Sequence, residues 1–174
     1  GLLFKIFADI DVFDIEVGTK DIEEFIATVK NISPTFGGIN LEDIKAPESF
    51  EIERRLVEEL NIPVMHDDQH GTAIVVLAGI INGLKVTGKT KEECKVVING
   101  AGSAGVAITK LLLTYGFKNV TMCDKSGILS KNSEGLNWMQ KSMMDVTNLE
   151  GKTGSLADAL VGADVFVGVS APNI

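Results

Sequence analysis

Two acidic pairs are the first groups in this sequence that could do chemistry. Glu42 with Asp43, and Asp67 with Asp68, each follow a short apolar segment, and the only two histidines of the chain flank the second pair in "HDDQH". Carboxylates that share a site raise each other's pKa, and a divalent cation would relieve that repulsion. A set of carboxylate oxygens favours Mg²⁺ or Mn²⁺ over zinc.

The two histidines admit a second interpretation. His66 and His70 have the spacing of a zinc-binding helix, but that motif needs glutamate after the first histidine and a helix beneath both. Here Asp67 takes the place of the glutamate, and we expect a strand end at this point. We interpret both histidines as neighbours of a metal site or interface residues. The acidic pairs could also be helix caps and solvated turn residues.

A glycine-rich segment suggests a second site, this one for a nucleotide. The six residues between a predicted strand and a predicted helix are Gly100, Ala101, Gly102, Ser103, Ala104 and Gly105. This is the dinucleotide-binding fingerprint, in which the helix N-terminus receives the pyrophosphate. Asp124 follows about twenty residues later, where an acid accepts from the ribose hydroxyls. Asp124 favours NAD over NADP, although Lys125 weakens that preference. The alternative to a dinucleotide site is a glycine-rich turn that binds nothing.

The elements that must position these residues alternate along the chain. Apolar patterns predict strands at 36–43, 62–66, 94–99, 119–124 and 164–169. They predict helices at 20–32, 47–60, 73–85 (capped by Thr72 and buried on all sides), 103–115 and 155–161. Residues 125–150 read as a polar loop with one short helix at 138–144. This alternation indicates an α/β fold with a mostly parallel sheet.

The connection between the first two strands predicts that the acidic pairs converge. A strand, a helix at 47–60 and a second strand make a crossover, which leaves the two strands parallel. Their carboxyl ends then lie at one edge of the sheet, where α/β folds place their sites. We therefore expect all four carboxylates at the same edge.

Composition narrows the class of protein. The chain has 174 residues, 45% of them hydrophobic, and a net charge of −8, which argues against nucleic-acid and membrane partners. Cys94 and Cys123 form no disulfide framework, so we expect a reducing, cytoplasmic location. The apolar run at 73–84 is too short to span a bilayer.

The chain starts with Gly1 and stops after an apolar segment, so we expect a central fragment in which targeting segments are unobservable.

Three segments carry a family resemblance: "PTFGGINLEDI", "IPVMHDDQHGTAIVVLAGIINGLK" and "INGAGSAG". They resemble the malic enzyme family, especially its shorter bacterial-type members. The resemblance implies oxidative decarboxylation of L-malate to pyruvate and CO₂ with NAD or NADP and Mg²⁺ or Mn²⁺. It implies part of a malate- and metal-binding domain at 1–70, and part of an NAD(P)-binding Rossmann domain, a doubly wound parallel sheet, at 71–174. It also implies a dimer or larger homo-oligomer.

The resemblance also implies roles for single residues. Glu42, Asp43 and Asp68 match the metal ligands, and Asp67 matches a catalytic position beside a lysine. The dinucleotide-binding positions are Gly100, Ala101, Gly102, Ser103, Ala104, Gly105, Asp124, Ser170 and Ala171, of which the last two lie under the nicotinamide ribose.

The family's acid and base have no match in the chain. The family uses a lysine as base and a tyrosine as acid, and neither Lys5 nor Tyr115 stands at the matching position. We therefore expect the 174 residues alone to be inactive. Two rival functions are another NAD-dependent dehydrogenase of hydroxy or amino acids, and a nucleotide-binding module without catalysis.

Overall fold

A computed structural model describes residues 1–171 of the chain, which contain two mostly parallel sheets and the helices around them. The helices are α1 (Leu2–Ala8), α2 (Ile22–Ile32), α3 (Glu48–Glu59), α4 (Asp67–Thr87), α5 (Ser103–Tyr115), α6 (Trp138–Met143) and α7 (Leu156–Leu160). The strands are β1 (Ile39–Leu41), β2 (Val64–His66), β3 (Lys95–Asn99), β4 (Asn119–Asp124), β5 (Gly127–Ile128) and β6 (Val165–Gly168). A short 3-10 helix, Ser33–Thr35, follows α2.

The first sheet contains β1 and β2, which run parallel because α3 crosses over between them. Leu41 pairs with His66, so both strands end at the same edge. Helix α2 begins where the Asp21 carboxylate accepts hydrogen bonds from the first free N–H groups of the helix. Apolar residues of α2, α3 and β1 form one core, namely Ile26, Val29, Leu41, Ile52 and Leu56. The predicted crossover is confirmed.

The second sheet has the order β5-β4-β3-β6. Strand β3 is parallel to both β4 and β6, while β5 runs antiparallel to β4. The chain passes from β3 through α5 to β4 and later returns to β6 on the other side of β3. This reversal is the switch point of a doubly wound α/β sheet, where such folds bind their ligands. The predicted Rossmann-type fold class is confirmed.

Helix α4 begins earlier than the sequence suggested, and this prediction was wrong. The helix starts at Asp67 with His66 as its N-cap, so Thr72 lies inside the helix rather than before it. Asp67 and Asp68 occupy the first turn, where negative charge is favourable next to the positive end of the helix dipole. The boundary expected between residues 70 and 71 therefore falls within this helix.

The expectation that α4 is buried on all sides was also wrong. Ala73 and Ile80 are buried in the core around the second sheet, whereas Ile74 is 58% and Val75 66% exposed. Among the described residues, α4 is long and apolar enough to cross a membrane by length and composition alone. A single helix of this kind is weak evidence for a membrane span.

Helix α3 joins the two parts of the molecule. Phe50 belongs to a buried cluster with Ala101 and Val106, which lie in the unit that contains the second sheet. Its ring also meets the ring of Trp138 edge-on, with centroids 6.1 Å apart and planes at 81°. The helix that positions the acidic strand ends is thus packed directly against the glycine-rich turn.

Candidate functional site

The two acidic pairs meet at the carboxyl ends of β1 and β2. The backbone N–H of Asp43 donates a hydrogen bond to Oδ2 of Asp68 at 3.2 Å, although 25 residues separate them. Asp43 has a left-handed backbone conformation, with φ of 58°, which is uncommon for residues other than glycine. The structure therefore brings together one member of each pair, as the crossover predicted.

Glu42 lies at the same edge but has a different partner. Its Oε1 atom accepts a hydrogen bond from Nδ2 of Asn40 at 2.8 Å, and the side chain is exposed. Within residues 1–171, no three histidine, cysteine or acidic side chains stand close enough together to hold a metal ion. The chemistry of Glu42, Asp43 and Asp68 nevertheless fits a hard cation, since all three offer carboxylate oxygens. The exposed Glu42 side chain would have to rotate away from Asn40 before its carboxylate could join those of Asp43 and Asp68 at one cation.

Asp67 is the first residue of α4, and its carboxylate lies against the next turn of the helix, at Gly71. A Cβ atom on Gly71 would overlap Oδ1 of Asp67, so glycine leaves the space that this carboxylate occupies. Asp67 thus lies beside Asp68 in the chain, at the positive end of the helix.

The histidines have unequal surroundings. His66 is completely buried, and neither ring nitrogen has a hydrogen-bond partner. Burial lowers the pKa of His66, with the charge of Asp68 acting in the opposite direction. His66 Nε2 lies 3.6 Å from Oδ2 of Asp68, which is too long for a hydrogen bond. His70 is half exposed, and its Nε2 lies 2.7 Å from Oε1 of Glu53.

Glu53 was missed by the sequence analysis. Its carboxylate contacts the segment that carries Asp67 and Asp68. The available signal was its position in the chain, because it stands three residues from both Phe50 and Leu56, on the buried face of α3. An acid on such a face requires partners, and the sequence did not show which ones.

The glycine-rich turn has the geometry that the fingerprint predicts. Gly100 has φ of 119°, and a Cβ there would come within 2.7 Å of the Val169 carbonyl oxygen. A Cβ on Gly105 would overlap the carbonyl oxygen of Gly100, so α5 approaches β3 as closely as backbone allows. At Gly102, in contrast, a Cβ would meet nothing within 4 Å. The turn therefore keeps open space on the side of Gly102.

That open space lies at the N-terminus of α5. Gly102 is the N-cap and offers no side chain to the first N–H groups of the helix. Free N–H groups and the helix dipole together make a site for anions. A cradle of this kind fits the pyrophosphate of a dinucleotide.

The other predicted dinucleotide residues surround the same edge of the sheet. Oδ1 of Asp124, at the end of β4, accepts hydrogen bonds from N and Oγ of Ser126 at 2.8 and 2.6 Å. Asn99 donates from Nδ2 to Oγ of Ser170 at 3.1 Å. Ser170 thus lies beside the Gly100 turn at the switch point, and the exposed Ala171 follows it.

Lys5 and Tyr115 lie in settings that do not suit proton transfer at this site. The Lys5 ammonium group is paired with Asp9 at 2.7 Å and Asp11 at 3.0 Å. The ring of Tyr115 packs at 6.3 Å from that of Phe117, and the Lys91 ammonium lies 4.5 Å above it. Both arrangements are those of structural residues.

A cleft of about 1370 Å³ borders the acidic edge on the side of the N-terminal segment. Glu42 and Asp43 line it, together with apolar residues that include Phe13 and Phe36. Neither Asp68 nor the glycine-rich turn lines this cleft. The cleft therefore does not connect the two candidate sites, and we do not assign a ligand to it.

Comparisons with known proteins match both units. The family model "Malic enzyme, NAD binding domain" matches residues 69–173, and "Malic enzyme, N-terminal domain" matches residues 16–57. The crystal structure of the NAD-dependent malic enzyme from Thermotoga maritima superimposes with a TM-score of 0.96 at 53% identity. That match covers 99% of this chain and 46% of the Thermotoga chain.

Curated relatives include both cofactor types. The NAD-dependent malic enzyme of Geobacillus stearothermophilus is 53% identical over the whole chain, which spans 36% of that relative. The NADP-dependent malic enzyme of Halomonas elongata is 51% identical over the whole chain, which spans 41% of that relative. The chain thus spans about two fifths of the length of these relatives. Glu42 and Asp43 lie within the match to the N-terminal domain, and the glycine-rich turn lies within the match to the NAD binding domain. The chain belongs to the malic enzyme family.

Proposed function

We propose that this chain is part of an enzyme that converts L-malate to pyruvate and CO₂ while reducing NAD⁺ or NADP⁺. Family membership and the names of the relatives support the reaction. The observation that carries the proposal is the hydrogen bond between Asp43 and Asp68, which joins two acidic strand ends. This bond holds the Asp68 carboxylate beside the loop that carries Glu42 and Asp43, an arrangement that a nucleotide-sensing module would not need.

We propose that Glu42, Asp43 and Asp68 hold a divalent cation, Mg²⁺ or Mn²⁺. The support is the chemistry of the donor set and the contact between two of its members. When bound, the cation supplies Lewis-acid stabilisation of the negative charge that develops on malate oxygen atoms. The role of the three carboxylates is to fix its position at the edge of the first sheet.

The second unit would hold the dinucleotide at its switch point. The supports are the open side of Gly102 and the free N–H groups at the start of α5. NAD(P)⁺ supplies the hydride acceptor. Asp124 would accept hydrogen bonds from the ribose hydroxyls, which favours NAD⁺, because a 2′-phosphate would meet this carboxylate. Ser170 and Ala171 would lie along the nicotinamide ribose.

Asp67 would act on the proton-transfer chemistry rather than on the cation. Its carboxylate is placed by the Gly71 gap, next to Asp68 and at the positive end of α4. An ionised carboxylate in that position would polarise a cationic base and hold it in its correct orientation. Lys5 is held by two other carboxylates and does not serve as that base.

We propose a cytoplasmic homo-oligomer, a dimer or larger. The support for the compartment is the presence of two buried, free cysteines, Cys94 and Cys123, in a chain without disulfides among its described residues. The support for association is the exposed apolar surface of α4, where Ile74, Val75 and Val86 are accessible.

The test is the formation of reduced nicotinamide, followed by its absorbance, in the full-length chain with L-malate and Mn²⁺. Parallel reactions contain NAD⁺ or NADP⁺, with and without EDTA. Turnover that EDTA abolishes would support a metal-dependent malic enzyme. Nucleotide binding without turnover would favour a binding module, and turnover that EDTA leaves intact would favour a metal-independent dehydrogenase.

A further inference from the structure

Glu53 occupies an unusual position for an acidic residue. It lies on the inner face of α3, and its side chain is only 13% exposed. Burying a carboxylate costs free energy unless hydrogen-bond donors surround it. Glu53 therefore needs donors, and the donors it uses identify the part of the molecule on which it acts.

Two hydrogen-bond donors and one further close contact all belong to one five-residue segment. Oε1 of Glu53 accepts from the backbone N–H of His66 at 2.8 Å and lies 2.7 Å from Nε2 of His70. Oε2 accepts from Nε2 of Gln69 at 3.2 Å. The segment "HDDQH" thus has its first, fourth and fifth residues bound to one carboxylate.

The two residues between these donors are Asp67 and Asp68. Asp68 also accepts from the backbone of Asp43 on the opposite side. The acidic turn is therefore held from two directions, by the Glu53 carboxylate and by the loop after β1. Residues that orient metal-binding side chains in this way commonly change metal affinity about 10- to 100-fold when they are replaced.

We propose that Glu53 is a positioning residue, which fixes the turn between β2 and α4 so that the Asp68 carboxylate meets the Asp43 loop. The proposal rests on the proposed metal-dependent function. Glu53 itself contacts neither the cation nor the substrate. Its effect is transmitted through its contacts with His66, Gln69 and His70 of the HDDQH segment.

The test compares three forms of the full-length chain: wild type, Glu53→Gln and Glu58→Gln. Glu58 is a matched control, because it lies on the same helix but is exposed and, among residues 1–171, forms its ion pair with Arg54. Mn²⁺ affinity is measured by electron paramagnetic resonance of the free ion, without substrate. NAD⁺ affinity and the thermal unfolding midpoint are measured on the same samples.

We expect Glu53→Gln to weaken Mn²⁺ binding at least about tenfold, because an amide replaces one acceptor oxygen with a donor. NAD⁺ affinity should stay within about twofold, and Glu58→Gln should behave as wild type on all readouts. Equal Mn²⁺ affinities of wild type and Glu53→Gln would overturn the positioning role. So would an equal loss in the Glu58→Gln control.

A second variant guards against a Glu53→Gln chain that does not fold. Gln69→Leu removes one of the two hydrogen-bond donors and leaves the carboxylate in place, so we expect a smaller loss, about threefold. Unchanged Mn²⁺ affinity in a folded Gln69→Leu chain would then overturn the proposal. Failure of the wild type to bind Mn²⁺ would instead overturn the metal-dependent function itself. The two failures are therefore distinguishable.

Discussion

The side-chain oxygens of Ser49 and Ser103 lie 2.9 Å apart and share a hydrogen bond, although 54 residues separate them in the chain. Ser49 is completely buried on α3, and Ser103 is the first residue of α5. This bond links the helix beside the acidic edge to the start of the helix that would bind the pyrophosphate.

Replacing Ser49 by alanine tests this link. We expect the free energy of unfolding in urea to fall by about 1 kcal/mol, the net value of one hydrogen bond. NAD⁺ affinity should fall a few-fold, because the Ser103 hydroxyl loses the partner that orients it. Ser33→Ala removes an exposed hydrogen bond at the end of α2 and should leave NAD⁺ affinity unchanged. Equal NAD⁺ affinities in both variants would contradict the prediction.

Replacing Asp68 by asparagine should separate metal chemistry from nucleotide binding. We expect malate turnover in the full-length chain to fall about a hundredfold or more, because the amide is neutral and a poorer ligand for a hard cation. Dinucleotide affinity should remain within about twofold of wild type. Asp145→Asn, which removes an exposed carboxylate paired with Lys131, is the control. Full turnover in Asp68→Asn would rule out its role as a ligand.

Substitutions at two glycines should affect different properties: NAD⁺ binding in one case and fold stability in the other. Gly102→Ala adds a methyl group into open space at an extended backbone position, so stability should change by less than about 0.5 kcal/mol. NAD⁺ binding should nevertheless weaken strongly, because the methyl group enters the space left for the pyrophosphate. Gly105→Ala should destabilise the fold by about 3 kcal/mol or more, because its Cβ overlaps backbone. Urea unfolding and NAD⁺ titration of both variants provide the measurement.

Asp124 should determine the choice of cofactor. We expect wild type to prefer NAD⁺, and Asp124→Ala to lower kcat/KM for NAD⁺ about tenfold while improving the relative use of NADP⁺. Ser126→Ala removes the Oγ donor and leaves the carboxylate, so it should keep the NAD⁺ preference. The idea fails if Asp124→Ala leaves the ratio of the two kcat/KM values unchanged.

The two cysteines should be unreactive in the folded chain. Burial raises the pKa of Cys123 to about 11 and also raises that of Cys94, so both remain neutral thiols near pH 7. We expect iodoacetamide to modify neither residue under native conditions and both after unfolding in urea. Mass spectrometry of labelled peptides provides the measurement. Rapid labelling of Cys123 in the folded chain would contradict its burial.

The elements that the sequence predicted best are those with strong local signals. Helix α5 and strand β4 have the predicted bounds, because glycines mark the start and the end of the helix. The convergence of Asp43 and Asp68 followed from topology, since one crossover forces two strands to be parallel. Local pattern and handedness rules were sufficient in these places.

The remaining features depend on contacts that no short segment contains. Thr72 is a good N-cap residue, yet α4 begins at Asp67, where the chain leaves β2 and the acidic turn meets the Asp43 loop. The partners of Glu53 lie on a different helix and a different strand. The hydrogen bond from Asn40 to Glu42 is likewise a side-chain detail without a sequence signal.

The hydrogen bond from His66 to Glu53 has a consequence for self-association. In the described part of the chain, β2 pairs only with β1, and an unpaired strand edge is a template for strands of other molecules. The His66 N–H on that short strand is already bound by the Glu53 carboxylate. The Glu53 carboxylate therefore occupies a backbone donor that a strand of another molecule would need in order to pair with β2.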